Sequence, residues 1–418
     1  MEIKINHKYW LCLEPYVFLF KGKLNYIIYN GFSHNFLVID KIDDNRDVTY
    51  ILDLMTDIKN MYCVRITGER LLCDNVLRFL NDIRDGFYGD IYDDVLFEKR
   101  PVIFPPIANV KNSYDNLSKE EELIRKSNID NFLHEITIYI NGICNNNCKH
   151  CLDYYKQFIF CTKSHAEMSE ESFNNIIDNL KNTRVSRINI VEGNIFLHKS
   201  FEHLLCKLEG IGTKNIFYTH FHNIDFKKSI KILELGFSLC ICVSGNFNKN
   251  DIDEIDRLLK VYNNQIIWKY IVASEEELNK VDYICECKDY NYSIRPMYDK
   301  NNIDFFEKFV YNNEDDFYDV DLSCEDVIKR QMINLYDYGK LIITPQNEVY
   351  SNINYPVMGL FENDFVKYIK MLLTNNSPWF RTREKLEPCR DCSFKYLCSS
   401  PSNYEIILNK NNLCTIFK

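Results

Sequence analysis

No uninterrupted apolar run in this 418-residue chain reaches the length that crosses a bilayer. The best apolar stretch near the start, residues 9–32, is broken by Glu14, Lys21 and Lys23. The opening Met-Glu-Ile-Lys-Ile-Asn lacks a signal-peptide pattern. A cytoplasmic protein with no membrane partner is expected. Basic charge is also not in excess. The formal net charge is −10, which argues against a general nucleic-acid binder. With 46% hydrophobic and 26% charged residues, the composition is that of a soluble globular protein. The length allows two or three domains around a substantial core.

Cysteine, in contrast, is abundant: there are 17, in a chain expected in a compartment where disulfides are rare. Their placement says more than their number. Cys12, Cys63, Cys73, Cys206, Cys240 and Cys242 are scattered through apolar runs, where free cysteine acts as a small buried hydrophobe. Two groups stand apart. Cys144-x3-Cys148-x2-Cys151 follows a strand-like run at 134–141, and Cys389-x2-Cys392-x5-Cys398 lies near the end with Cys414 behind it. Thiolates suit iron–sulfur clusters or zinc. Three of them on one short loop can grip three corners of a four-iron cube and leave the fourth iron open. A closed zinc site would need a fourth protein ligand. His150 is the only nearby candidate, and it directly precedes Cys151, so chelation of one ion by both would be strained.

The chain divides by pattern. Residues 1–100 read as a small α+β unit: strands at 9–20, 24–29 and 36–40, then helices at 48–58 and 75–85, a plausible winged-helix-like arrangement. Its strand edge beside a helix could accept an extended peptide as an added strand. Residues 101–132, opening on Pro101, Pro105 and Pro106 and carrying a charged stretch at 118–126, read as a linker. Residues 133–300 alternate strand and helix. Strands are expected at 134–141, 185–191, 215–220, 237–243, 265–273 and 290–297, and helices at 170–181, 200–208, 227–233, 251–262 and 275–281. Six such units indicate a parallel α/β sheet, too few for an eight-fold barrel, so an open partial barrel fits. Chemistry then belongs at the carboxyl ends of the strands, where the first cysteine loop falls. In residues 301–418, helices are expected at 304–311 and 325–336 and a hairpin at 339–344 and 348–350, before a cysteine-bearing loop.

This organisation resembles the radical SAM superfamily. The whole chain resembles the radical SAM/SPASM peptide maturases, above all the SPASM-domain proteins, some of them labelled "pseudo" radical SAM, of Bacteroidales double-glycine leader peptide systems. The resemblance implies a partial (β/α)6 barrel at 133–300, an N-terminal winged-helix-like leader-recognition domain at 1–100 and a C-terminal SPASM-like domain at 301–418. It implies that Cys144, Cys148 and Cys151 bind three irons of a [4Fe–4S] cluster, with S-adenosylmethionine on the fourth. Iron–sulfur is preferred over zinc there because the open corner suits the spacing. The family's second strand ends in Gly-Gly-Glu-Pro, which meets the methionine part of the cofactor. Here Glu192-Gly193-Asn194-Ile195 stands in its place, with one glycine and with Asn194 for the acid, an ordinary strand-to-helix turn being the alternative. Ser244-Gly245 loosely matches the Ser-x-Asp-Gly position that can touch the ribose or carboxylate, a plain turn being the alternative. Arg295 is a further candidate, with a structural ion pair as its alternative.

In the same resemblance, Cys389, Cys392, Cys398 and Cys414 supply all four ligands of one auxiliary [4Fe–4S] cluster, the alternative being a four-cysteine zinc knuckle. The second auxiliary cluster is dismantled. Cys324 and Gly339 are present, but Thr344 and Ser402 stand where cysteines belong, and Cys324 reads as vestigial. Two clusters are therefore expected. The stretch 154–158 could cover the first, and Cys161 is either a catalytic thiol or a buried or incidental cysteine. No general base stands out. The implied activity is hydrogen abstraction from a ribosomal precursor peptide to form a crosslink or an epimer. The implied partners are the leader-bearing precursor, a reductant such as flavodoxin or ferredoxin, and a second maturase. The competing reading is a retired pseudo-enzyme that binds precursor peptide or serves a partner maturase.

Overall fold

The structure is a computed structural model that describes residues 3–106, 129–146, 148, 151–181, 183–286, 291–374 and 376–416. His150 and the charged stretch 118–126 lie outside the described residues. The strand expected over 9–20 is in fact two, β1 (Lys8–Leu13) and β2 (Val17–Lys21). Pro15 interrupts it, since proline has no N–H to give a ladder. β2 continues through β3 (Asn25–Asn30) and β4 (Phe36–Asp40) as an antiparallel meander. Two strands not anticipated from the sequence, β5 (Cys63–Thr67) and β6 (Gly89–Asp93), flank β1 in a second sheet of order β5-β1-β6. Helices Arg46–Thr56 and Asp74–Asp85 close the core, burying Val48, Ile51, Leu52 and Met55 from one and Val76, Phe79, Leu80 and Ile83 from the other.

Four of the six scattered cysteines depart from the reading as free, buried hydrophobes. Cys12 and Cys63 face each other across β1 and β5 and are joined as a disulfide. Cys73 and Cys206 are exposed. Cys206 lies on helix Phe201–Glu209, whose inward positions are Phe201, Leu204, Leu205 and Leu208, so the helical period turns it outward. Cys240 and Cys242 are buried as expected.

The main sheet holds six parallel strands in chain order: β7 (Glu135–Tyr139), β8 (Arg187–Val191), β9 (Lys214–His220), β10 (Ser238–Val243), β11 (Ile266–Val272) and β12 (Tyr292–Pro296). Helices Glu170–Leu180, Phe201–Glu209, Phe226–Glu234, Lys249–Leu259 and Glu275–Cys285 join β7 to β12 in turn. Four of the five have a side-chain cap: Ser169, Asp225, Asn248 and Ser274 each accept a backbone N–H three residues on. Alternation sorts the strand residues. Ile136, Ile138, Ile188 and Ile190 pack under the helices against Phe173, Ile177 and Leu204. Glu135, Thr137 and Tyr139 point to the other face, where they meet Lys269 and Arg295 around one cavity. The sheet therefore curves around that space.

The C-terminal region shares this sheet. β13 (Lys340–Ile343) pairs in parallel with β7 on the side opposite β8, and β14 (Glu348–Tyr350) and β15 (Gly359–Leu360) follow antiparallel. Gly339, at φ +73°, makes the junction: a Cβ there would meet the His134 ring at 2.5 Å. Beyond it, short turns bring Phe394 and Tyr396 onto the β2–β3–β4 sheet, with Tyr396 and Phe20 ring centroids 5.0 Å apart. Among the described residues no helix is long and apolar enough to cross a membrane.

Candidate functional site

The loop after β7 is held by the end of β8. Asn141 donates to the Asn194 carbonyl at 3.0 Å, and the Asn194 N–H donates to the Ile143 carbonyl at 2.9 Å. Between these contacts sits Gly193, at φ +45°, where a Cβ would fall 2.4 Å from the Asn141 carbonyl oxygen. Only glycine permits that approach. Cys144, Cys148 and Cys151 line one narrow pocket at the carboxyl ends of β7, β8 and β9, together with Glu192, Gly193 and Cys161. Cys151 opens a helix, Cys151–Gln157.

The cysteine sulfurs receive polar hydrogens. The Asn146 amide donates to Cys144 Sγ at 3.4 Å, and Asn223 Nδ2 donates to the same sulfur at 3.5 Å and to the Gly193 carbonyl at 3.2 Å. The Lys163 amide donates to Cys161 Sγ at 3.3 Å. Cys148 and Cys151 hydrogen-bond each other, which holds the Cys148 thiol below its usual pKa and pushes that of Cys151 up to about 11. Cys161 bonds to Cys151 and is raised by that bond and by burial. Cys161 is buried, as one of its readings expected, and its thiol lines the same pocket as Cys144, Cys148 and Cys151. Asn223 was not foreseen. It comes 79 residues after Cys144 on the turn following β9, and the only sequence signal was its position just past a strand's carboxyl end.

Glu192 adopts φ +107°, a region that favours glycine, and is buried. Thr162 Oγ1 donates to its Oε1, while Oε2 is enclosed and has no hydrogen-bond partner. Burial raises its pKa, opposed by Thr162 and Ser164. Asn194, in contrast, spends its side chain locally: Oδ1 caps the next turn by accepting from the Phe196 amide at 3.1 Å. Ser244, at the end of β10, lies 3.2 Å from His220 Nε2. Burial and the neighbouring His222 lower the His220 pKa to about 4, so it is a neutral ring. Ser244, His220, Asn146 and Cys148 share a larger cavity of about 620 Å³.

The stretch 154–158 forms a partition. Tyr154 packs edge-on against Phe160, at 4.9 Å between centroids, on the cysteine side. Tyr155 and Phe158 face the cavity inside the curved sheet, and Ile159 borders both spaces. Arg295 lines that inner cavity and has no carboxylate partner among the described residues.

Cys389, Cys392, Cys398 and Cys414 converge as a second group, each thiol close enough to bear on the others' charge. Burial, the largest cause, raises Cys389 to about 11 and Cys392 to about 12. Arg383, itself buried, stands 3.9 Å from Cys389 Sγ and pairs with Glu405 at 2.5 Å. Asn312 and Asn412 each reach a sulfur, Cys398 and Cys414, at 3.7 Å. Ser402 caps helix Asn403–Ile407 in a capping box with Glu405, so its hydroxyl has a structural task where a cysteine would otherwise stand. Thr344 turns into the β13–β14 hairpin, and Cys324 packs apart from the group, against Gly31. Among the described residues, no three His, Cys, Asp or Glu side chains are gathered as a site for one metal ion.

No family model matches the sequence, and no curated protein matches it. Among solved structures, the chain is similar to SuiB of Streptococcus suis bound to S-adenosylmethionine. The identity is 14%, covering 96% of this chain and 97% of that one, with a TM-score of 0.45. It is similar at 14% identity and TM-score 0.45 to SuiB bound to precursor peptide SuiA, over 97% and 98% of the two chains. It is also similar to anSMEcpe with bound AdoMet and Cp18Cys peptide, at 14% identity over 63% and 88%, with a TM-score of 0.43. At these values the likenesses carry no argument of their own about function.

Proposed function

We propose that this chain is a radical SAM maturase of a ribosomally made peptide, built on a partial (β/α)6 barrel with a SPASM-like C-terminal region. One observation carries the reading. Three cysteines at Cys-x3-Cys-x2-Cys spacing share a pocket with a buried carboxylate whose Oε2 is unpartnered. The donor set fits a [4Fe–4S] cluster: three soft thiolates at that spacing, with Cys144 Sγ already receiving two N–H groups. The ligands of a cube bind separate irons and stand wider apart than those of one ion. Glu192 Oε2 fits the cofactor equally, since an enclosed carboxylate oxygen without a partner is suited to an ammonium group.

When bound, the cluster and S-adenosylmethionine supply a 5′-deoxyadenosyl radical that removes a hydrogen atom. The residues do the rest. Cys144, Cys148 and Cys151 hold three irons. Glu192 would accept from the cofactor's amino group, and Gly193 lets the cysteine loop close against the end of β8. Ser244 and neutral His220 offer hydrogen bonds in the adjoining cavity. Asn194, occupied by its cap, does not take part. Cys389, Cys392, Cys398 and Cys414 hold one auxiliary cluster, which leaves no open iron there for substrate. The precursor's leader adds as a strand to a free edge of the N-terminal unit: β4 pairs only with β3, and β5 only with β1, among the described residues. The protein works in the cytoplasm with a flavodoxin- or ferredoxin-type reductant.

Anaerobic reconstitution with iron and sulfide, then dithionite and S-adenosylmethionine with the cognate precursor, should yield 5′-deoxyadenosine. Its absence would overturn the enzyme reading. The second reading, a retired carrier of precursor peptide for a partner maturase, is favoured by Glu192 standing at a glycine-like φ of +107°. Leader binding without 5′-deoxyadenosine would support it.

A further inference from the structure

Three basic side chains gather around the cavity inside the curved sheet. It measures about 360 Å³ and is bounded by β7, β11, β12 and β13 and by the partition at 155–159. Lys269, Arg295 and Lys340 face it, in a chain of net charge −10. Its two carboxylates are already engaged. Glu135 accepts from Asn189 at 2.7 Å and meets Arg187 at 3.5 Å, while Asp337 accepts from Asn352 at 2.7 Å. Lys269 lies over the Tyr218 ring at 4.9 Å and has no carboxylate partner among the described residues, nor has Arg295.

Register fixes how these two cations stand. Lys269 pairs with Ser293, and Ile271 with Arg295, so the cations are diagonal neighbours on one face of adjacent strands. Their Cα atoms are about 8 Å apart by strand geometry. Like charges so placed repel. A carboxylate entering the cavity would relieve that repulsion with charge-assisted hydrogen bonds from both, the guanidinium offering two parallel donors. Tyr139, Tyr155, Tyr336 and Tyr404 form much of the remaining wall, which suits a short carbon stem ending in an anion.

We propose that Lys269 and Arg295 bind the side-chain carboxylate of an Asp or Glu in the substrate peptide and so set which residue is presented across Ile159 to the cysteine pocket. This rests on the peptide-maturase reading, but it is tested without cluster or cofactor.

The experiment is calorimetric titration of the full-length protein, as isolated and at low salt, with three blocked probes. These are Ac-Gly-Gly-Glu-Gly-Gly-NH2, the same peptide with Gln for Glu, and Ac-Gly-Gly-Gly with a free C-terminal carboxylate. The Glu probe should bind about tenfold or more tighter than the Gln probe, and Arg295→Gln and Lys269→Gln should each reduce that preference severalfold while retaining the native circular dichroism. Equal binding of Glu and Gln probes, or full preference in both variants, would overturn the proposal. Tighter binding of the free C-terminus would assign the cavity to a chain end and overturn the side-chain reading. Failure to form 5′-deoxyadenosine would leave this result standing, and a null titration would leave the radical chemistry standing.

Discussion

Asn223 Nδ2 lies 3.5 Å from Cys144 Sγ and 3.2 Å from the Gly193 carbonyl. One amide thus ties the first cysteine to the end of the second parallel strand from the turn after the third. Its Oδ1 accepts from Asn146 at 2.6 Å, which fastens the loop itself. Asn223→Ala would leave buried polar groups unmatched, at a cost of about 1–3 kcal/mol. The expected result is a lower melting temperature and less iron retained after reconstitution, read by denaturation and iron analysis. An unchanged iron content would show that the loop is held by other contacts.

Gly193→Ala is expected to be worse. The added methyl would meet the Asn141 and Ile143 carbonyl oxygens at 2.4 and 2.6 Å, and φ is +45°. Either the β8 turn or the cysteine loop must move. A loss of about 2 kcal/mol or more is expected, with weakened cluster assembly, measured by urea unfolding and visible absorption. A variant with normal unfolding would contradict the close approach.

Much of this architecture was legible because parallel strands covered on both faces read as apolar runs between helical periods. β8 to β12 and their helices lie within a few residues of expectation, and the cysteine loop follows β7 as its spacing suggested. What escaped the sequence depends on distant segments. Pairing of β13 with β7 joins residues about two hundred positions apart, and β5 and β6 are strands through their places beside β1. Arg295 could be read as an ion pair because sequence shows a charge without its surroundings. Asn194, aligned with an acid, proved to be a local cap, while the buried carboxylate beside the cysteines is that of Glu192, two residues earlier.

Glu405→Ala should strongly destabilise the C-terminal region. It would strand Arg383, whose charge is buried beside Cys389 and which otherwise bonds the Ser399 and Asn411 carbonyls at 2.8 and 2.9 Å. Breaking such a pair costs about 3–5 kcal/mol, whereas replacing both members with apolar residues costs far less. Chemical denaturation of Glu405→Ala and of Arg383→Met/Glu405→Leu should therefore differ clearly, the double variant being the more stable. Equal loss in both would contradict the assignment.

Asp337 gives a pH dependence. Burial raises its pKa to about 6 from an ordinary 3.8, against the Asn352 hydrogen bond and the Lys340 and Arg381 charges. A carboxyl raised on folding holds its proton more tightly in the native state. Its contribution is therefore neutral below about pH 4, and stability falls as pH rises from 4 through 6. The loss levels off at up to about 3 kcal/mol. Asp337→Asn should raise the melting temperature relative to wild type at pH 7.5 and not at pH 4. An identical difference at both values would contradict the buried carboxyl.

The proposed chemistry needs an open iron at Cys144, Cys148 and Cys151. The direct measurement is electron paramagnetic resonance of the reduced, reconstituted Cys389→Ala/Cys392→Ala variant, in which the C-terminal cysteines no longer hold a cluster, with and without S-adenosylmethionine. The expected result is a [4Fe–4S]+ signal whose g values shift when the cofactor is added. A cluster signal that does not respond, or no cluster at all, would contradict it.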